Sequence, residues 1–358
     1  MYLKNIKLVN FRNYQNETIN FINGINLFIG QNAQGKTNII ESIYLSAMGK
    51  SFRTIKDSEV INFGKDYCKI DLDYFNSQDE KIEIYIDKFN KKVIKENDVK
   101  IKKISDHFSK LLIVSFFPDS LDIVKKSPQI RRNFLDEICS KLSKKYLLNL
   151  QEYMKCLKMK NAMLKNDKEK IDLNYIDILH EKMSIYIENI VKYRAYVVKL
   201  ILEKAIIIHK VLTKSKEIIN IKYISDFINL SKEEIEKQLN DFLKIEILRK
   251  TSLKGIQRDD LDFYINNLEV CKYCSQGQCR TTLLTLKLAE FEVLKEQNGK
   301  DPILLLDDIM SELDSNRVEF LLNYIKDYQS IITTTDFNMK VNIKNINIKK
   351  VLNGKLDI

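Results

Sequence analysis

Eight consecutive residues, Gly30-Gln31-Asn32-Ala33-Gln34-Gly35-Lys36-Thr37, have the spacing G-x-x-x-x-G-K-[ST]. Their chemistry is phosphate holding: glycines let the backbone turn so that its N–H groups face inward, and the terminus of a following helix adds positive potential. Lys36 would reach the β- and γ-phosphates of ATP, and Thr37 would ligate Mg²⁺. A second element is the apolar run Ile303 to Leu306 ending in Asp307 and Asp308. A buried strand of this kind would deliver Asp307 beside the loop as the metal partner. Asp308 would stand next to it as a general base for the attacking water, with Lys36 stabilising the transferred phosphate. An Asp pair after a strand can also serve as a helix cap or a turn.

Between these elements lies Ser275-Gln276-Gly277-Gln278, followed by Cys279, Arg280 and the amphipathic run TTLLTLKLAEFEVL. A serine ahead of a helix is by itself a capping motif. It also offers a hydroxyl, amides and a helix dipole to a γ-phosphate. Placed between a P-loop and an Asp pair, the segment resembles the signature loop of ABC-type ATPases. That resemblance implies that Ser275, Gly277 and Gln278 contact ATP bound on a second subunit, two nucleotides being sandwiched in a twofold dimer. Ser311-Glu312-Leu313-Asp314 resembles the loop that follows the Asp pair across such an interface, with Asp314 among the nucleotide contacts. Asp308 is one methylene shorter than the Glu common in related ATPases, so slow hydrolysis is expected. ABC-type enzymes often carry a histidine after the next strand, where this chain has Thr333-Thr334-Thr335, so Thr is the candidate substitute. Cys271, Cys274 and Cys279 are spaced C-x₂-C-x₄-C, but no fourth zinc ligand is evident.

The elements that must position these residues are legible. Residues 2 to 9 and 25 to 29 read as strands, and NIIESIYLSAM after the P-loop reads as a helix. Alternation near Tyr67 to Phe75, Lys81 to Ile86 and Leu111 to Phe116 predicts further strands, the first two a hairpin pair. From about Arg131 to Lys250 the period becomes helical. Ile176, Leu179, Met183, Ile187, Ile190, Val197 and Ile201 form one apolar seam, interrupted by Arg194. That helix, from about Ile176 to Leu212, would be roughly 55 Å long at 1.5 Å per residue. It is far too short for the coiled coil of chromosome-organising ATPases. The chain then returns to α/β with a strand at Ile303 to Leu306, a helix around Arg317 to Lys326, a SIITTT strand and an Asn353-Gly354 hairpin turn. The expected organisation is a mixed α/β, ABC-type P-loop head from residues 1–116 and 251–358, with a mainly helical arm, residues 117–250, inserted.

Composition sets the limits. The chain of 358 residues is 44% hydrophobic and 30% charged, the profile of a soluble globular protein. No run approaches the ~18 apolar residues of a membrane helix, the start is strand-like, and the six cysteines form no disulfide framework, so a cytoplasmic, reduced protein is expected. The formal charge of +10 suits nucleic acid, but a lysine-biased genome composition would produce the same excess. Arginine, in contrast, is rare: of 59 basic residues only nine are Arg, and Arg12, Arg53, Arg131, Arg132, Arg258, Arg280 and Arg317 lie in or beside the motifs. Arg12 is a candidate for the phosphates and Arg131, Arg132 and Arg258 for DNA, and each of the four could instead pair with acidic neighbours.

Blocks outside the generic motifs narrow the reading. VNFRNY (Val9 to Tyr14), GKSFRT (Gly49 to Thr54), FPDSLDIVKKSPQIRRNFLD (Phe117 to Asp136) and GIQRDDLDFYIN (Gly255 to Asn266) stand with SQGQ and LLLDDIMSELD, and together the chain resembles the RecF family over nearly its whole length. The family usually writes G-P-H-R-D-D-L where this chain has Gln257 in the histidine's place, and Cys279 stands where Gln is common. The resemblance implies an ATP-driven homodimer that clamps DNA at single-strand gaps and junctions with duplex, with slow hydrolysis for release. It also implies RecR and RecO as partners, RecA downstream, and a place in recombination, replication and the SOS response to DNA damage. An ABC-type ATPase subunit of a transporter is the alternative, against which the helical insert and these blocks speak.

Overall fold

A computed structural model of the chain describes residues 1–103, 107–108, 110–167, 171–335 and 345–357. The chain divides into two compact units, Met1–Ser120 with Glu290–Ile358, and Leu121–Ala289.

The first unit begins with strands β1 (Tyr2–Phe11), β2 (Tyr14–Asn20) and β3 (Ile25–Ile29), then the P-loop and the helix Lys36–Met48. Strands β4 (Tyr67–Phe75), β5 (Asp79–Asp87), β6 (Lys92–Glu96), β7 (Val99–Lys100) and β8 (Ile113–Phe116) follow. The second unit holds the helices Pro128–Leu142, Lys144–Leu164, Leu173–Leu212 and Lys232–Arg249, with strands β9 (Ile219–Ile224), β10 (Asp260–Ile265) and β11 (Leu268–Glu269). After the helix Gln276–Asn298 come β12 (Ile303–Asp307), the helix Ser315–Ile325, and strands β13 (Ser330–Thr334), β14 (Ile346–Leu352) and β15 (Lys355–Asp357).

Two six-stranded sheets build the first unit, in the orders β2-β1-β4-β5-β6-β7 and β15-β14-β3-β13-β12-β8. The former is antiparallel and reads as such: in β4, Cys68, Ile70, Leu72 and Tyr74 are buried while the alternate residues are partly exposed. In the latter, β12 and β13 are buried at every position, as strands covered on both faces must be, and β14, β3, β13, β12 and β8 run parallel. The helix Lys36–Met48 is buried along nearly its whole length, and one core takes Ile39 and Ile43 from it, Ile6 and Ile70 from one sheet, and Leu305 and Ile331 from the other. Because β3, β13 and β12 are adjacent and parallel, their carboxyl ends bring Gly30, Thr334 and Asp307 to one edge of the sheet.

The second unit departs from its expected outline in two ways. It contains the antiparallel sheet β11-β10-β9, whose first strand falls inside the stretch read as helical. It also takes residues 251–289, which the sequence reading placed with the head. Pairing explains both, since Leu261 of β10 stands opposite Tyr223 of β9. Charge does the rest. Arg131 makes a two-pronged pair with Asp260, both N···O distances 2.7 Å, and Arg132 donates to the Asp259 carbonyl. Arg194, the interruption in the apolar seam, is wholly buried and binds Asp136 at 2.7 Å and Asp259 at 2.6 Å. Arg258 donates to the Ser252 carbonyl. The IRRNFLD and RDDL blocks are thus each other's partners. Gln257 accepts from the Tyr153 hydroxyl and donates to the Lys254 carbonyl, so the position is filled by neutral hydrogen bonding. The helix Leu173–Leu212 has 40 residues, about 60 Å at 1.5 Å per residue.

Candidate nucleotide site

The P-loop is held from three sides within the first unit. Gly30 N–H donates to the Thr334 carbonyl, and a Cβ on Gly30 would lie 2.5 Å from the Val351 carbonyl oxygen, so only glycine fits. The Gln34 carbonyl accepts from Asn13 Nδ2 at 2.9 Å and from Gly354 N–H at 3.0 Å, while its side chain accepts from Asn353 N–H at 2.6 Å. The Asn353-Gly354 turn read from the sequence therefore closes over the loop. Gly35, at φ 112°, opens the helix in a conformation that side chains avoid.

Lys36 lays its ammonium on the loop, donating to the Gly30 carbonyl at 2.5 Å and the Gln31 carbonyl at 2.9 Å. Burial pushes its pKa down, and the charges of Asp308 and Asp307 oppose that. Thr37 Oγ1 donates to Asp307 Oδ1 at 3.0 Å, and Thr333 Oγ1 donates to the same oxygen at 2.6 Å. Burial raises the Asp307 pKa against the pull of these hydroxyls. Asp308 sits in the left-handed region at φ 50°, its N–H bonded to Thr333 at 3.1 Å. A hydroxyl and a carboxylate sharing one locus form the hard-oxygen donor pair that Mg²⁺ takes, so the residues present fit that ion.

Two expectations are narrowed here. Arg12 is engaged away from the loop: Nε and one terminal nitrogen bind Glu41 at 2.9 and 2.6 Å, and the other terminal nitrogen binds the Glu59 carbonyl at 2.7 Å. Of Thr333, Thr334 and Thr335, offered together as a stand-in for the missing histidine, Thr333 uses its hydroxyl on Asp307. The sequence alone does not single out Glu41, fully buried four residues after Thr37, and gives no partner to Arg53, which binds Asn38 at 2.8 Å and Glu41 at 3.4 Å. The charge of Arg53 adds a small opposition to the burial that raises the Asp307 pKa. A lone acid on an otherwise apolar helix face and a rare arginine in the GKSFRT block were the available signals.

In the second unit, Ser275 and Gln278 form a reciprocal capping box: Ser275 Oγ accepts from Gln278 N–H at 3.2 Å and Gln278 Oε1 accepts from Ser275 N–H at 3.0 Å. Gln278 Nε2 also donates to Glu217, and Gly277 lies in the first turn of the same helix. Asp314, in the first unit, caps the helix Ser315–Ile325, accepting from Arg317 N–H at 3.0 Å. The side chains of Ser311 and Glu312 lie outside what the structure describes. Among the described residues, no cluster of three or more His, Cys, Asp or Glu side chains is placed to hold a metal ion, and Cys271 donates to Glu269.

Residues 2–355 match the family described as RecF/RecN/SMC N terminal domain. The DNA replication and repair protein RecF of Clostridium perfringens is 41% identical over 361 residues, 99% of each chain. The chain belongs to the RecF family. Two solved structures of the recombination mediator protein RecF in the RecFOR pathway, with ATPrS and with ATP, are 33% and 34% identical and superpose at TM-scores of 0.92 and 0.91, covering 99% of this chain and 97% of theirs. An Smc head domain from Pyrococcus furiosus, 18% identical at a TM-score of 0.58, shares the fold. RecF relatives are DNA replication and repair proteins, and the ABC-type head is the fold expected from the motifs. Among the described residues, no helix is long and apolar enough to cross a membrane.

Proposed function

We propose that this RecF-family protein is an ATP-gated DNA-binding protein of recombinational repair and replication, in which two copies close on DNA at single-strand gaps and part after slow hydrolysis. The observation that carries it is the convergence of Thr37 Oγ1 and Asp307 Oδ1, 3.0 Å apart, with Lys36 in the field of both acids. When bound, ATP with Mg²⁺ would supply the β–γ phosphoanhydride bond to be hydrolysed and the γ-phosphate charge that ADP lacks. The N–H groups of Gln31 to Gly35 would donate to phosphate oxygens, and Lys36 would exchange its two carbonyl partners for them. Thr37 and Asp307 would hold the metal, and Asp308 would orient and deprotonate water. Ser275, Gly277 and Gln278 of the second copy meet the γ-phosphate, for which the capping bonds between Ser275 and Gln278 must open. Asp314 lines the same interface.

Affinity for DNA then follows nucleotide state, because the γ-phosphate adds interface energy that ADP lacks. The net charge of +10 supports contact with the phosphate backbone. RecR and RecO are the partners that fit, with RecA loaded downstream. The transporter reading has no support from relatives matched over 99% of the chain. Anisotropy of labelled gapped duplex, titrated in ATP and in ADP with Lys36→Ala as control, tests the proposal. Tight binding only with ATP and intact Lys36 is expected; failure to bind in either nucleotide overturns it.

A further inference from the structure

One end of the antiparallel sheet in the first unit carries more exposed aromatic surface than a solvated edge needs. Phe63 is fully exposed, Phe89 is 80% exposed, and Tyr67 and Tyr85 are 40% and 38% exposed. The two tyrosines are stacked across β4 and β5 with ring centroids 5.5 Å apart, leaving outer faces to solvent. Phe63 rides on a turn whose next residue, Gly64, has φ 77° and open space around it: a Cβ there would meet nothing within 4 Å. Hydrogen bonds bring the two loops together. Lys88 N–H binds the Asp66 carbonyl at 2.9 Å, and Ser58 N–H binds Asn90 Oδ1 at 3.0 Å.

Cations are interleaved with these rings. Lys88 lies 5.4 Å from the Phe89 centroid and is paired with Asp66, and Lys92 is paired with Asp57. Asp87 accepts the N–H groups of Phe89 and Lys91. Exposed Lys56, Lys65 and Lys91 have no ion-pair partner among the described residues, and Glu59 is the remaining exposed acid. Rings with free faces beside unpaired ammonium groups suit one ligand chemistry, unpaired bases on a phosphate backbone, since bases stack on aromatics and phosphates take the lysines.

We propose that this surface, centred on Phe63, Phe89, Tyr67 and Tyr85, is a binding platform for single-stranded nucleic acid. The proposal rests on the DNA-binding reading above and assigns it a face. It also supplies a route to the nucleotide. The loop carrying the platform is hooked by Arg12, which holds the Glu59 carbonyl with one nitrogen and Glu41 of the P-loop helix with two others. A shift of that helix on ATP binding would move the platform.

The chain has no tryptophan, so Phe89→Trp introduces a single reporter. The full-length Phe89→Trp protein with ATP is titrated with unlabelled oligo(dT), and wild type is followed by anisotropy with labelled oligo(dT). Quenching of the tryptophan is expected, together with roughly tenfold weaker binding by Phe63→Ala/Phe89→Ala at unchanged Tm and unchanged ATP-dependent dimerisation. Wild-type binding without quenching, or a double variant with wild-type affinity, overturns the platform alone. Loss of dimerisation in the double variant overturns it in favour of a contact between copies. No binding of oligo(dT) or gapped duplex by wild type overturns the DNA-binding reading itself.

Discussion

Arg12 and Glu41 meet in a two-pronged ion pair, 2.9 and 2.6 Å, in which the carboxylate is wholly buried and the arginine side chain partly exposed. Glu41 also accepts from the Ser51 hydroxyl at 2.6 Å, so its oxygens are satisfied only while both neighbouring segments stay in place. Such a pair contributes little against an apolar substitute but is costly to break from one side. Arg12→Ala leaves a buried acid with only partial compensation. Its expected effect is a loss of roughly 3–5 kcal/mol from the first unit, with ATP affinity reduced because the P-loop helix loses its anchor. Urea unfolding and nucleotide titration of the same variant measure both. A stable variant with intact ATP binding would show that Ser51 and Arg53 suffice for Glu41.

The second unit has its own version of this dependence at Arg194. Two carboxylates, Asp136 and Asp259, and the Ile256 carbonyl share one guanidinium, and Tyr223 donates to Asp259 as well. Burial raises the Asp259 pKa, with Arg194 the first opposing influence. Arg194→Leu fits the apolar seam by size and shape yet leaves two acids facing each other. A destabilisation of roughly 3–5 kcal/mol is expected, as a fall in the lowest unfolding transition, and Arg194→Leu/Asp259→Asn should recover part of it.

Legibility followed the range of the interactions. The P-loop, the strand ending in Asp307 and the hairpin at Asn353-Gly354 are encoded by neighbours within a few residues, and each was found where the sequence places it. The strand Ile219–Ile224 was not, because its pairing partner Asp260–Ile265 is distant in the chain and its alternation is short in a chain rich in Ile, Lys and Asn. Arg194 read as a flaw in a seam for the same reason: its acids lie 58 and 65 residues away. Type and position leave Arg12 open between phosphate and an acidic neighbour, and Glu41, which claims it, is in the sequence only one charge on an apolar helix.

The hairpin that closes over the P-loop makes Gly354 a test of that clamp. Its φ is 72°, and a Cβ would lie 2.4 Å from the Asn13 carbonyl oxygen. Gly64 has a similar φ, 77°, but open space. Gly354→Ala and Gly64→Ala therefore share a backbone cost of roughly 1–2 kcal/mol, and only the former displaces the turn from Gln34. ATP affinity should fall in Gly354→Ala and stay at the wild-type value in Gly64→Ala. Equal affinities would show that the turn does not hold the loop.

Asp307 gives the site a pH dependence whose sign is set by burial. Its pKa is raised, so protonation favours the folded, nucleotide-free chain: this contribution to stability is full below the usual aspartate pKa of about 4 and is lost as pH rises through the raised value. Metal binding needs the ionised form and runs the other way. The extra Tm that Mg²⁺ adds to ATP should shrink as pH falls toward the raised pKa. In Asp307→Asn, the nucleotide-free Tm at pH 7 should equal or exceed that of wild type, while Mg²⁺ adds nothing. A pH-independent Mg²⁺ increment in wild type would remove Asp307 from the metal.

Asp308 separates binding from turnover. Its backbone is left-handed at φ 50°, which Asn tolerates as well as Asp, and its N–H remains tied to Thr333 after substitution. Asp308→Asn should keep the fold, the Mg²⁺ site and ATP-dependent dimerisation, but lose the base: hydrolysis falls by about 10²-fold or more. Since ATP then persists between the copies, dissociation from gapped DNA after dilution should slow in parallel with hydrolysis. If hydrolysis is abolished and release is unchanged, ATP acts in this protein as an interface ligand whose cleavage is incidental.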